Sequence, residues 1–227
     1  MSTPQLIVFA KVPEAGSVKT RLTSLLTPAE AAGLYAAFLK DALLQYTQLG
    51  VGVRLYLNPT SVHLPEGLLL EGVSVHTQTG TGLGERMQRA FLETFAAGGQ
   101  HVVVIGTDHP TLPSAFINHA FEALEAPYSI CIGSSEDGGY YLLGMNEFYP
   151  VLFEDMTYSH PKVLIETLAR AEHTDARLTI LPGWYDVDTP ATLRRLVCDV
   201  EANSELAINT HRVLQPLKEK YPELKAG

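Results

Sequence analysis

Short apolar, β-branched runs alternate with longer stretches of helical spacing along most of this chain, and that alternation restricts the fold more than any other feature. The runs are Leu6–Ala10, Val51–Leu57, Val73–Thr77, His101–Gly106, Tyr128–Gly133 and Arg177–Leu181, with Tyr140–Met145 expected to pair nearby. Near-continuous apolar runs mark strands covered on both faces, and His-Val-Val-Val-Ile-Gly is the most apolar of them, so it belongs at the sheet centre. Between the runs, Thr27-Pro28-Ala29-Glu30 forms a capping box with proline at the first helical position, opening a helix to about Tyr46. Gly84–Ala97 has helical spacing and stops at Gly98-Gly99, while Pro113–Leu124, Pro161–Glu172 and Pro190 to about Val200 each start at a proline. The expected fold is therefore α/β, a three-layer α/β/α sandwich with a mainly parallel, doubly wound sheet. With 227 residues the chain is expected to form one domain, residues 203–227 being a peripheral helix or tail.

Composition removes several classes. With 46% hydrophobic and 18% charged residues, disorder, collagen and coiled coil are excluded. No apolar run approaches the ~20 residues that span a bilayer. The start lacks the basic residues of a signal peptide, and Cys131 and Cys198 are the sole cysteines, so a cytoplasmic protein is expected. A formal charge of -9 disfavours nucleic acid and anionic membranes as partners. Lys11, Lys19 and Arg21 nevertheless fall within eleven residues, a local cationic cluster that suits a small phosphorylated ligand. The sequence specifies no oligomeric state.

In a doubly wound sheet, ligands sit outside the carboxyl ends of the strands. The loop after the first strand, Lys11 to Leu22, contains Gly16 and Ser17 and leads into a short helical start able to aim N–H groups at an anion. It is not a Walker loop, because Val18 precedes Lys19-Thr20. A solvated turn would account for the same residues. The loop Gln78-Thr79-Gly80-Thr81-Gly82-Leu83-Gly84 lacks the G-x-G-x-x-G spacing of a dinucleotide site, although alternate glycines admit a flat ligand or simple flexibility. Asp108 follows the central strand, where a carboxylate holds a divalent cation against phosphate or caps a turn; His109 reads as a turn residue. Asp186 and Asp188 share one side of an extended segment ahead of a Thr189-Pro190 helix start. Glu136-Asp137-Gly138-Gly139-Tyr140-Tyr141 is either a turn or the lining of an acceptor pocket. No metalloprotease motif, Cys/His zinc spacing or nucleophile elbow is present.

Five ordered segments carry a resemblance: Gly16-Ser17-Val18-Lys19-Thr20-Arg21-Leu22, Leu83-Gly84-Glu85-Arg86-Met87, Gly106-Thr107-Asp108-His109-Pro110, Glu136 to Tyr141, and Asp186-Val187-Asp188-Thr189. Over about residues 5 to 200 the chain resembles the bacterial radical-SAM/selenodomain-associated transferases of the nucleotide-diphospho-sugar transferase (GT-A) superfamily. It is more distantly similar to 2-phospho-lactate guanylyltransferase and the molybdenum-cofactor nucleotidyltransferases. Ala15 departs from the family pattern, which has proline there, and Gly82 stands where an acidic residue is expected. The resemblance implies a GT-A fold that takes a nucleotide donor and a small acceptor with Mg²⁺ or Mn²⁺. By position it implies that Lys19 and Arg21 hold phosphates, with Lys11 and Gly16 nearby. Asp108 and Asp188 would bind metal with Asp186 as a supporting neighbour, and Gln78, Gly82, Leu83 and Gly84 would contact base and ribose. Glu136, Asp137, Gly138 and Tyr140 would face the acceptor. The implied activity is a metal-dependent nucleotide-using transferase. Nucleotidyl transfer to a small phosphorylated acceptor is the leading expectation, glycosyl transfer the alternative, and a non-catalytic nucleotide-binding module the third.

Overall fold

The computed structural model describes residues 3–58, 64–65, 67–203 and 205–225; Met1, Ser2 and the last two residues of the expected tail lie outside them. Seven strands form one sheet: β1 (Gln5–Lys11), β2 (Gly52–Asn58), β3 (Val73–Thr77), β4 (Val102–Ile105), β5 (Ser129–Ser135), β6 (Tyr140–Met145) and β7 (Arg177–Trp184). Their order is β3-β2-β1-β4-β6-β5-β7, so the His-Val-Val-Val-Ile-Gly run does occupy the centre. Six strands point the same way, and β6 runs antiparallel between β4 and β5. Val8 pairs with Leu55 on one side and Ile105 on the other, so β1 is hydrogen-bonded along both edges and its apolar run is buried on both faces.

The helices are α1 (Pro28–Tyr46), α2 (Leu83–Ala96), α3 (Ser114–Ala123), α4 (Val163–Ala171), α5 (Pro190–Ala202) and α6 (Ile208–Lys220). Period-two alternation sorts the sheet between them: Leu6, Val8 and Ala10 pack with α1 and α3, whereas Ile7, Val102 and Val104 pack with α2. The capping box of α1 forms as expected, with the Glu30 N–H donating to Thr27 Oγ1 and the Thr27 N–H donating to Glu30.

Two helix starts differ from expectation: α4 starts at Val163, with Pro161 in a strap over residues 154–162, and Pro113 is the N-cap of α3 rather than its first residue. The C-terminal segment forms the helix that is one of the two expectations for it: α6 packs with α5 against the outer face of α1 through Leu214, Leu217 and Leu34. Asp41 of α1 caps α6 from outside, accepting the Asn209 N–H (3.0 Å), the Asn209 side-chain amide (2.7 Å) and the Thr210 N–H (2.8 Å). Sequence spacing gave no sign of this because the cap lies 168 positions away.

Since six strands run the same way, the segments that follow β1, β3, β4, β5 and β7 all open on one edge of the sheet.

Candidate active site

That edge carries a cleft of about 730 Å³. Its floor is the end of the central strands, at Val104, Ile105 and Gly106, and its walls come from the loops after β1, β3, β4, β5 and β7 together with the strap.

Lys19 dominates the electrostatics. Anchored by buried Val18 and Leu22, the first loop holds Lys19 in the left-handed region (φ 48°, ψ 37°) immediately before a one-turn 3-10 helix over Thr20–Ser24. This is a crowded conformation for a side chain with a Cβ. Its side chain is 3% exposed and threads inward beside the rings of Tyr35 and Phe38, 5.8 and 5.6 Å from the ammonium. At the end of this tunnel Nζ pairs with Asp108 Oδ1 and, at 2.9 Å, with Asp188 Oδ1. Burial pulls the ammonium toward neutrality, but attraction to Asp108 and Asp188 outweighs it and leaves the pKa raised. The same pair acts on Asp108: burial pushes its carboxyl up, yet Lys19 holds it below the usual range. Both acids remain about two-fifths exposed toward the cleft.

The two acid loops are stitched together, the Val187 N–H donating to the Asp108 carbonyl at 2.8 Å. Asp188 and Thr189 both donate their N–H groups to Thr192 Oγ1, which fixes the turn into α5. Asp186 also lines the cleft but makes no ion pair with Lys19; it accepts from the Ser135 hydroxyl. Burial raises its pKa to about 7, with the Ser135 hydrogen bond opposing and Asp108 adding to the rise. Thus Asp108 and Asp188 share one cation, and Asp186 does not join them. Among the described residues no group of three acids, histidines or cysteines is arranged to hold a metal. A pair of carboxylates converging on one positive charge, open to a cleft, still fits a divalent ion that takes its remaining ligands from phosphate and water.

Arg21 is 72% exposed, with its guanidinium 3.7 Å from Asp188. Lys11 lines the cleft, and its backbone N–H donates to the Tyr35 hydroxyl (3.0 Å), which also hydrogen-bonds Thr107 Oγ1 (2.9 Å). Gln78 donates its amide hydrogens to the carbonyls of Ala10 and Tyr56, bracing the ends of β1 and β2 at the cleft wall. Leu83 lines the cleft, whereas Gly16, Gly82 and Gly84 do not. Gly82 sits at the N-cap of α2, and Gly84 lies beneath the Tyr158 ring, where a Cβ would collide with it.

The expected acceptor residues divide. Asp137 and Tyr140 line the cleft, Asp137 accepting the Gly139 N–H at 2.9 Å. Glu136 faces away, both of its oxygens held at 2.9 Å by Arg195, whose guanidinium lies 3.8 Å from the centre of the Tyr185 ring. Gly138 has φ 89° and packs under the Pro161 carbonyl with no room for a Cβ, so it seats the strap rather than a ligand.

Several cleft residues were not legible as such. Arg86 lies in a motif segment but received no role; its Nε donates to the Gly80 carbonyl and it lines the cleft. His109 opens a turn as expected, its carbonyl accepting the Leu112 N–H at 3.0 Å, but it also lines the cleft: it is 3% exposed, edge-on to Tyr141, with neither ring nitrogen partnered among the described residues. Burial drives its pKa down to about 4. Tyr35 and Tyr158 carry no sequence signal that separates them from core aromatics.

The fold has counterparts among solved structures. A protein from Desulfovibrio desulfuricans G20, provisionally named a nucleotide-diphospho-sugar transferase, is 30% identical over 100% of both chains, with a TM-score of 0.91. The inositol-1-phosphate CTP transferase of T. maritima matches at 16% identity and TM-score 0.55, over 95% of this chain and 98% of its own. Rv0371C of Mycobacterium tuberculosis H37Rv, solved as a complex with manganese, matches at 20% identity and TM-score 0.51, over 86% and 97%. The fold is therefore the three-layer α/β/α fold of nucleotide-diphospho-sugar transferases and nucleotidyltransferases. Within it, the chain belongs to the family described as "Uncharacterized protein conserved in bacteria (DUF2064)", which matches residues 43–160, just over half of its length. Comparison with curated proteins finds no match. Among the described residues no helix is long and apolar enough to cross a membrane.

Proposed function

We propose that this protein is a nucleotide-using transferase, and that it transfers a nucleotidyl group from a nucleoside triphosphate to a small phosphorylated acceptor. The observation that carries the reading is the convergence of Asp108 and Asp188 on one cation position at the floor of a cleft that Lys11, Arg21 and Arg86 also line. Acids that share a cation, ringed by further cations, match a polyphosphate better than any neutral ligand. Asp108 and Asp188 would hold Mg²⁺ or Mn²⁺, which when bound supplies charge neutralisation at the phosphates. Arg21, exposed at the rim, binds outer phosphate oxygens, and Arg86 with Leu83 and the braced Gln78 positions the nucleoside side. Asp137 and Tyr140 face the acceptor. An acceptor phosphate oxygen then attacks the α-phosphorus in line, the bond from that phosphorus to the bridging oxygen breaks, and pyrophosphate leaves. The whole chain acts as one transferase domain in this reading, and its ordered motifs support the narrower affiliation with the radical-SAM-associated branch.

Glycosyl transfer from a nucleotide-sugar is the second reading, favoured by the name given to the Desulfovibrio desulfuricans G20 relative. Thermal shift against ribonucleoside triphosphates and nucleotide-sugars, with and without Mg²⁺ or Mn²⁺, separates the two. A ligand at 100 times its Kd stabilises by about 2.7 kcal/mol, roughly 5–10 °C for a domain of this size. A metal-dependent rise confined to triphosphates supports nucleotidyl transfer. Preference for one nucleotide-sugar supports glycosyl transfer, and no rise with any ligand defeats both.

A further inference from the structure

The cation that Asp108 and Asp188 share is one the chain provides itself. We infer that Lys19 is an internal competitor for the metal: its ammonium fills the divalent-cation position in the metal-free protein and must swing out into the cleft when a metal binds. This rests on the reading of Asp108 and Asp188 as the metal-holding pair. The geometry makes the two cations alternatives. Nζ already contacts both carboxylates, so a divalent ion bridging the same oxygens would place three positive charges against two negative ones within a few ångströms. The routes of approach also differ. Lys19 reaches the acids from beneath, between Tyr35 and Phe38, whereas the acids present their free faces to the cleft, from which an ion arrives.

The backbone of Lys19 favours such a change. It occupies the left-handed region although it is not a glycine, a conformation held by its surroundings and not by intrinsic preference. Lys19 itself also lines the cleft, so a freed ammonium has space to enter. There it would stand beside Arg21 and Lys11, among the groups placed for phosphate. Metal and polyphosphate would consequently load together, the metal releasing the lysine and the phosphates receiving it.

The test counts free Mn²⁺ by electron paramagnetic resonance as it is titrated into wild type, Lys19→Met and Asp188→Asn, without nucleotide. Removing the competitor should tighten Mn²⁺ binding about tenfold or more, and Asp188→Asn should lose it. Equal or weaker binding by Lys19→Met, with loss in Asp188→Asn, overturns the competition while leaving the metal pair intact. Undiminished binding by Asp188→Asn, or no binding by wild type and Lys19→Met alike, overturns the metal pair and the competition with it. Should Lys19→Met fail to fold, amine acylation of wild type read by mass spectrometry decides. Lys19 labelling should rise severalfold when Mg²⁺ is added while exposed Lys220 is unchanged, and constant Lys19 protection overturns the inference.

Discussion

Two charged clusters join the early chain to its end, and they are built on opposite terms. On the outer face of α1, Asp41 is buried and receives three N–H donors from the start of α6, while Glu30 receives the Lys220 ammonium, the Tyr221 hydroxyl and the Thr27 N–H. Each carboxylate there accepts at least three hydrogen bonds from donors of the fold. In the cleft, Lys19 is buried in a crowded backbone conformation, its two acids are left partly open, Asp186 has a raised pKa and the ring nitrogens of His109 have no hydrogen-bond partner among the described residues. The outer cluster is satisfied, so it holds the fold. The cleft cluster is incomplete in a way that a ligand with its own charges would complete, which is how binding sites differ from structural ion pairs.

The contrast is most exposed to Asp108→Asn. Turnover should fall by about 100-fold or more with the far-ultraviolet spectrum unchanged, since the acid is partly open and its backbone tie to Val187 remains. Undiminished turnover would strip the cleft cluster of its role. Asp41→Ala should do the reverse: leaving three donors unpaired at the start of α6 lowers the free energy of unfolding by about 2–3 kcal/mol in urea denaturation, while Mn²⁺ affinity of the folded protein stays within about twofold.

Acid titration sharpens the picture of the outer cluster. The hydrogen bond from Lys220 holds the Glu30 carboxyl down at about 2, below its ordinary 4.5. A depressed carboxyl stabilises the fold above its unfolded pKa and loses that contribution as pH falls, here between about 4.5 and 2. Glu30→Gln should flatten the fall of melting temperature across that window and lower it by only about 1–3 °C at pH 7, because the pair is largely solvated. The smallest effect belongs to Glu136→Gln. Its pair with Arg195 is exposed and outside the cleft, so stability should change by less than about 1 kcal/mol and ligand-induced thermal shifts should persist. A lost acceptor response in that variant would return Glu136 to the site.

What the sequence made legible follows from what is local. Hydrophobic period placed every strand and put Val102–Ile105 at the centre, and Thr27 with Glu30 announced the start of α1, because neighbours along the chain decide these features. The cleft loops were legible too, since a parallel sheet sends them to one edge. Which partner each charged group takes was not. Arg195 claiming Glu136, Lys19 turning inward to the acids and Tyr158 covering Gly84 are choices made among residues far apart in sequence, by space and desolvation that no spacing encodes. Pro161 shows the same limit: proline can open a helix, but here the strap needs its carbonyl over Gly138.

The span of the Lys19–Asp188 pair carries a consequence in time. The two residues are 169 positions apart, and Asp108 lies between them, so the three meet only after β1, β4 and the turn into α5 have docked. Contacts of such long range form late in folding. A ribosome must have released well over three-quarters of the chain before the acids can share any cation, so a half-made chain cannot present the finished pair to the ions around it.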